Sequence, residues 1–331
     1  MNTQIYQGIP TPPSLMKALK AGFDAITNHL ELILFPICID VFLWLGPHLR
    51  LLKIIENYLA YIEKTPGLNT PETTEFISLS QELWTQIGQR FNLFTFLRTF
   101  PVGVPSLMVS VQPVESPFGQ VAYWDLTSVG ILIVVWLLLS FVGLVMGTLY
   151  FWIVEQAALE GNIHWEKVMH IWPDASTQVI LLALAWILLL GVISIPGSCL
   201  LSLLFMGGLA IGQVGVLVMG GLMIWILFPL LFSPHGIFVN QSKVWVSVRD
   251  SIRLTRYTFP TTGLLFLIIL VLTEGLGILW RVPEETSWLT LVGLFGHAFI
   301  TTGILAATFV YYRDANQWVQ KVLQQVKVAS S

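Results

Sequence analysis

The chain has 331 residues, 55% hydrophobic and only 11% charged, with a formal net charge of −3. A soluble domain carries about 25% charge, so this composition, with several apolar runs of about 20 residues, excludes an ordinary soluble globule and predicts an all-α, polytopic membrane bundle. The weak net charge also excludes the basic field that nucleic-acid partners need.

The two cysteines, Cys38 and Cys199, fall inside apolar runs. They point to no disulfide framework or zinc site and read as small core residues. Residues 1–29 open with a polar, Pro-rich arm that lacks the early apolar stretch of a secretory signal. Leu15, Leu19, Phe23 and Ile26 then recur at helical spacing, with Lys17, Lys20 and Asp24 on other faces, which predicts an interfacial helix lying on the membrane. A first span is predicted at 30–49, with Asp40 near its middle and Pro36 and Pro47 within it.

Residues 50–125 form the one large extramembrane segment. Phe76, Leu83, Ile87, Phe91, Phe94 and Leu97 make an apolar helical stripe. Pro101, Pro105, Pro113 and Pro117 then forbid a continuous helix. Leu107, Val109 and Val111 alternate with polar or flexible residues as a short strand would. The stripe has too little of its own to pack against, so the segment is expected to fold back over the bundle as an external cap.

The second span is predicted at 128–153, where Ser140, Gly143 and Gly147 form a small-residue seam suited to another helix. An amphipathic piece at 164–172 leads to the third span, 177–205, broken at Pro196-Gly197. A tight turn then opens the fourth span, 209–232, which stacks Gly208, Gly212 and Gly215. An amphipathic helix at 241–257 carries Arg249, Arg253 and Arg256. The fifth span is 259–281 and the sixth 288–312, the latter with a seam of Gly293, Gly296, Gly303 and Ala307 interrupted by Ile300. A polar helical tail occupies 313–331.

Six spans put both termini on one side. That side carries Lys17, Lys20, Lys167, Lys243, the three arginines, Arg313, Lys321 and Lys327, against Arg281 alone in the short loops opposite. The positive-inside rule makes it cytoplasmic, and a plasma (inner) membrane is the expected location.

The stretch 234–272 joins a span end, a short apolar strip at 236–240, a basic amphipathic helix with Ser251 and Leu254, and another span; Tyr311, Tyr312, Arg313 and Asp314 close the last span. Over its C-terminal third the chain resembles uncharacterised six-span bacterial membrane-protein families related to the membrane domain of some glycerophosphodiester phosphodiesterases. The run from Phe100 to Met108, and Asp40 followed by Trp44, Gly46 and Pro47, look like a subgroup with a long external first loop. The resemblance implies a helical bundle without an assigned reaction, and no catalytic residue carries over.

No metalloprotease, nucleophile-elbow, phosphate-loop or dinucleotide motif is present, so no catalytic residue, cofactor or metal site is expected. What remains is ionisable residues at membrane depth, each costing at least about 2.5–3.5 kcal/mol unless it faces protein or water. At about 1.5 Å per residue, Asp40, Glu274 and His297 fall within about two helical turns of one another in depth. They form a candidate intramembrane polar cluster with His297 as the titrating member. The structural alternative is that Glu274 pairs with His297, or with Arg281 along its own helix.

His29 and His235 are read as interfacial before they are read as haem ligands. Trp124, Trp152, Trp172, Trp280 and Trp288 are read as an aromatic belt. Arg249, Arg253 and Arg256 are candidate binders of anionic headgroups, with a cytosolic or membrane protein as the competing partner. Three function classes follow: a non-enzymatic scaffold, accessory or lipid-binding component, a transporter-like protein built on the polar cluster, and an intramembrane enzyme. The enzyme has least support because no nucleophile–base set is recognisable.

Overall fold

The computed structural model describes residues 12–63 and 71–330; residues 1–11 of the polar arm lie outside the described residues. Ser14 accepts the Lys17 amide and starts α1 (Leu15–Asn28). A 3-10 turn at Leu30–Ile33 leads into α2 (Leu34–Leu45), and Leu15–Asn28 meets Leu30–Leu45 at 92°.

The interfacial reading of α1 is corrected by its packing. Ala18, Leu19, Gly22 and Ile26 are buried, and a Cβ on Gly22 would lie 2.4 Å from the Ala307 amide nitrogen. Small residues on both partners let α1 lie directly against the last helix of the chain, with Phe23 on Phe299 and Ala18 in one cluster with Tyr311 and Ala315. The first span ends at Leu45 rather than 49. Gly46 precedes a proline, which disfavours helical backbone, and it is extended at φ −80°, ψ 174°.

Beyond it, β1 (His48–Arg50) leads to α3 (Leu52–Glu63), α4 (Pro71–Arg90), a 3-10 turn at Leu93–Leu97 and α5 (Met108–Val111). The short strands β2 (Glu115–Ser116), β3 (Gly119–Gln120) and β4 (Tyr123–Asp125) follow. β2 and β3 form an antiparallel hairpin; β1 and β4 pair in parallel, with Arg50 opposite Asp125. Arg50 Nε sits 3.0 Å from Asp125 Oδ1 while its guanidinium lies 3.2 Å from the Tyr123 ring centre. The two ends of the 50–125 segment are thereby clamped together.

Between those ends the segment dips into the bundle instead of only covering it. The backbone of residues 97–103 lies on α6 (Val129–Leu159). A Cβ on Gly143 would be 2.5 Å from the Leu97 carbonyl oxygen, and one on Gly147 2.8 Å from Gly103 Cα. At about 1.5 Å per residue, Gly143 is about 21 Å along α6 from Val129. Val102, Val104, Ser106, Leu107 and Met108 are buried, and the Phe100 ring stands 4.9 Å from that of Trp186. The seam on α6 therefore receives a re-entrant loop, not a helix. The strand expected at 107–111 is instead the one-turn helix α5, begun by Ser106, whose Oγ accepts the Val109 amide. The Phe76 side chain lies outside the described residues, and Leu83 and Ile87 of the predicted stripe are exposed.

α6 extends to Leu159. The predicted piece at 164–172 and the third span are one helix, α7 (Trp165–Met206), with Pro173 and Pro196 inside it. Proline is tolerated in apolar spanning helices, so the break at Pro196-Gly197 does not form. The chain reverses at Gly208, where φ is 122°, into α8 (Leu209–Leu227). Gly212 receives the Phe205 ring and Gly215 the Leu204 side chain. A 3-10 turn at Phe228–Leu230 leads to α9 (Ser233–Val239), then α10 (Val244–Tyr257), α11 (Phe259–Trp280) and α12 (Thr290–Ser330). The last of these unites the predicted sixth span and tail.

The α12 seam is divided between two neighbours. Gly293 and Gly296 receive Trp280 of α11, whereas Gly303 receives Phe23 of α1. Trp152 belongs to the core and not to the belt, at 1% exposure beside Phe238. Cys38 and Cys199 are exposed on the apolar surface, which corrects their reading as core residues.

Among the described residues, five helical stretches are long and apolar enough to cross a bilayer, and the bent α1–α2 pair makes a sixth when counted as one span. That pair runs the length of the apolar part of α12, from Ala18 in the cluster with Ala315 to Trp44, whose ring is 5.9 Å from that of Trp288. The chain is thus an all-α, membrane-embedded bundle. Below, the cap face is the side bearing the 46–128 segment, and the terminal face is the side bearing the α6–α7 turn and α10.

Candidate functional site

Asp40 is fully buried on α2. Its Oδ1 accepts the Ser106 hydroxyl at 2.5 Å and the Met108 amide at 3.0 Å, and its Oδ2 accepts the Leu107 amide at 3.1 Å. The first amides of any helix lack an internal partner. Here a carboxylate from a different element supplies one, holding the returning limb of the re-entrant loop against α2. Arg98 Nη1 reaches the Ser106 carbonyl at 3.4 Å on the same limb.

Of the three predicted members, the structure brings two together. His297 Nδ1 lies 4.0 Å from Asp40 Oδ2, beyond hydrogen-bond length, and has no hydrogen-bond partner among the described residues. Glu274 stands apart: its side chain is 69% exposed and its ion pair, at 3.8 Å, is with Arg281 of its own helix. Glu274 projects from α11 to the surface, so the three-helix cluster reduces to Asp40 with His297. Both Asp40 oxygens are committed to the loop, so the carboxylate holds backbone in place.

Sequence reasoning missed Ser106, Arg98 and Asn92. Ser106 carried a local signal, a serine three residues before the amide that it caps. Asn92 Oδ1 accepts the amides of Phe94 and Leu49, tying the 3-10 turn to β1. Beside it His48 is buried with Nε2 3.1 Å from the Leu43 carbonyl, and burial pushes its imidazole below the ordinary 6.5. His29 and His235 are also held by protein: His29 by Glu31 and the Gly161 carbonyl, His235 by Thr308 Oγ1 at 2.9 Å.

The second candidate site is on the terminal face. α10 packs through Val244, Ser247, Ser251, Leu254 and Thr255, so its buried face is largely polar, and Val248 and Ile252 are only partly buried. Ser247 and Ser251 donate to the carbonyls of Ser233 and Pro229, at 2.5 and 2.7 Å. Those bonds seat α10 on the irregular end of the fourth span. Arg253 is committed to Asp250 at 2.7 Å. Arg249 and Arg256 are exposed, with no carboxylate partner among the described residues.

One turn before Arg249, Trp245 is 79% exposed. It forms one wall of an apolar cleft of about 400 Å³ whose other walls are Leu182, Leu189 and Val192 of α7, Leu230, and Val248 of α10. The α7 wall from Leu182 to Val192 is about 15 Å long at 1.5 Å per residue. Its polar end holds Ser233, 3.4 Å from Trp186 Nε1. No family model, curated protein or solved structure matches the chain.

Proposed function

We propose that this is a non-catalytic, lipid-binding component of a bacterial-type plasma membrane, with the terminal face cytoplasmic. The observation that carries the reading is the cleft between α7 and α10. An apolar trough facing the bilayer has exposed Arg249 one helical turn beyond its Trp245 wall, and exposed Arg256 further along the same helix. An acyl chain fits the trough, and each arginine contributes about 1 kcal/mol of attraction to an anionic headgroup near the surface. The lysine and arginine bias of the terminal face supports the orientation.

The test is phospholipid analysis of protein purified in mild detergent. The expected result is retained phospholipid enriched in anionic headgroups over the bulk membrane. Arg249→Gln with Arg256→Gln should lower the anionic share, and Leu189→Trp should lower the total. Lipid of bulk composition, unchanged in all variants, would overturn the proposal.

A transporter-like role is the second reading, and the partnerless buried nitrogen of His297 favours it. A pH-dependent ligand effect on melting that His297→Ala abolishes would move the balance to it. A scaffold or accessory role would instead give a protein partner that survives purification.

A further inference from the structure

α4 has two unlike faces near its C-terminal end. Leu83, Trp84 and Ile87 share one side and are 55%, 52% and 47% exposed. Gln86, Gln89 and Arg90 lie on the adjoining side, with Arg90 flanking Leu83 at i+7, and wall a polar groove of about 910 Å³, whose far wall is Arg281 to Thr286 at the α11–α12 connection. Arg281 caps the apolar helix α11, so residues 86–90 sit level with the place where that span leaves the bilayer.

The apolar side continues directly onto the lipid-facing surface of the bundle. Phe91 follows Trp84 and Ile87 at helical spacing, its amide still bonded to the Ile87 carbonyl. Its ring is 5.8 Å from Phe96, and Phe96 is 6.1 Å from Trp136 of α6. On the same side of that spanning helix as Trp136, Val129, Ile133 and Leu137 are exposed.

We infer that the exposed apolar face of α4 is docked in the headgroup region of the cap-face leaflet, with the bilayer itself as its partner. The 50–125 segment is then a membrane-lying anchor at this point, and the adjoining polar side of α4 keeps the groove open to water. Aromatic and aliphatic side chains on one side with amides and a guanidinium on the other is the distribution of an interfacial helix. Trp84 is suited to headgroup level by its amphipathic ring. This inference does not depend on the cleft at the terminal face.

Spin labels placed singly at Glu82, Trp84, Gln86 and Ile87, on a background lacking Cys38 and Cys199, would test it in lipid nanodiscs. Collision rates are read with oxygen, which concentrates in lipid, and with a water-soluble nickel chelate. The expected result is a severalfold higher oxygen-to-nickel ratio at positions 84 and 87 than at 82 and 86. Equal nickel access at all four positions would overturn the inference and leave the apolar face to a protein partner. Oxygen preference at all four would overturn the water-filled groove and with it the proposed orientation of α4. Each labelled position is exposed, so the label itself does not disturb the core.

Discussion

Asp40 takes three hydrogen bonds from residues 106–108 at a depth where water cannot replace them. Removing it leaves two buried amides and a hydroxyl without an acceptor, each costing about 1–3 kcal/mol. Asp40→Ala should therefore destabilise by about 3–5 kcal/mol, the low end of the sum for three buried donors left without an acceptor. Asp40→Asn should cost less, since one amide oxygen still accepts. Glu274→Gln should stay within about 1 kcal/mol, because an exposed ion pair contributes little. Thermal melting of the three variants in one detergent checks this, and equal losses at positions 40 and 274 would contradict the division between them. The sequence reveals that Asp40 is costly, because a carboxylate in an apolar run needs a partner. It does not reveal the partner, which lies 66 positions away in a stretch without regular periodicity. Glu274 looked equally costly by depth, but depth does not tell which side of a helix faces lipid, water or protein.

Helices in this molecule approach one another where side chains are absent, and the same device admits a loop. The seam on α6 was legible as small residues at helical spacing; what fills it was not. Pro101 and Pro105 rule out a helix in the partner segment, yet nothing local says that this segment leaves the surface. Its backbone can do so because its polar groups are met inside the protein. Irregular backbone at membrane depth is tolerated under that condition. Thr99 Oγ1 donates to the Val102 carbonyl at 2.5 Å, and Asp40 takes the amides of Leu107 and Met108. Gly147→Ala should therefore cost about 1–3 kcal/mol, the range for overpacking, since the added carbon meets backbone that cannot rotate away. Gly191→Ala and Gly220→Ala have open space around the new carbon and should stay within about 0.5 kcal/mol. Melting temperatures of the three variants decide the matter: similar losses at 147 and 220 would mean that the loop does not rest on α6.

Composition and apolar run length were enough to place the whole chain among helical membrane bundles, because a spanning segment must satisfy its own backbone and be apolar along its length. They could not separate an external cap from a re-entrant loop, since depth there is set by contacts between residues far apart in sequence. Side-specific labelling tests both levels together. In a background without Cys38 and Cys199, Phe118→Cys on the cap face and Asn162→Cys at the α6–α7 turn are separated by the single crossing of α6. Both positions are exposed, whereas Val102 is fully buried in the re-entrant loop. With the proposed cytoplasmic termini, a membrane-impermeant maleimide should label position 118 in intact cells and position 162 only after permeabilisation. Val102→Cys should stay unlabelled in both until the protein is denatured. A reversed pattern at 118 and 162 would invert the orientation and leave the fold intact. Labelling of both from one side would contradict α6 as a span. Ready labelling at 102 from the cap face would return residues 97–104 to the surface and remove the role assigned to Asp40.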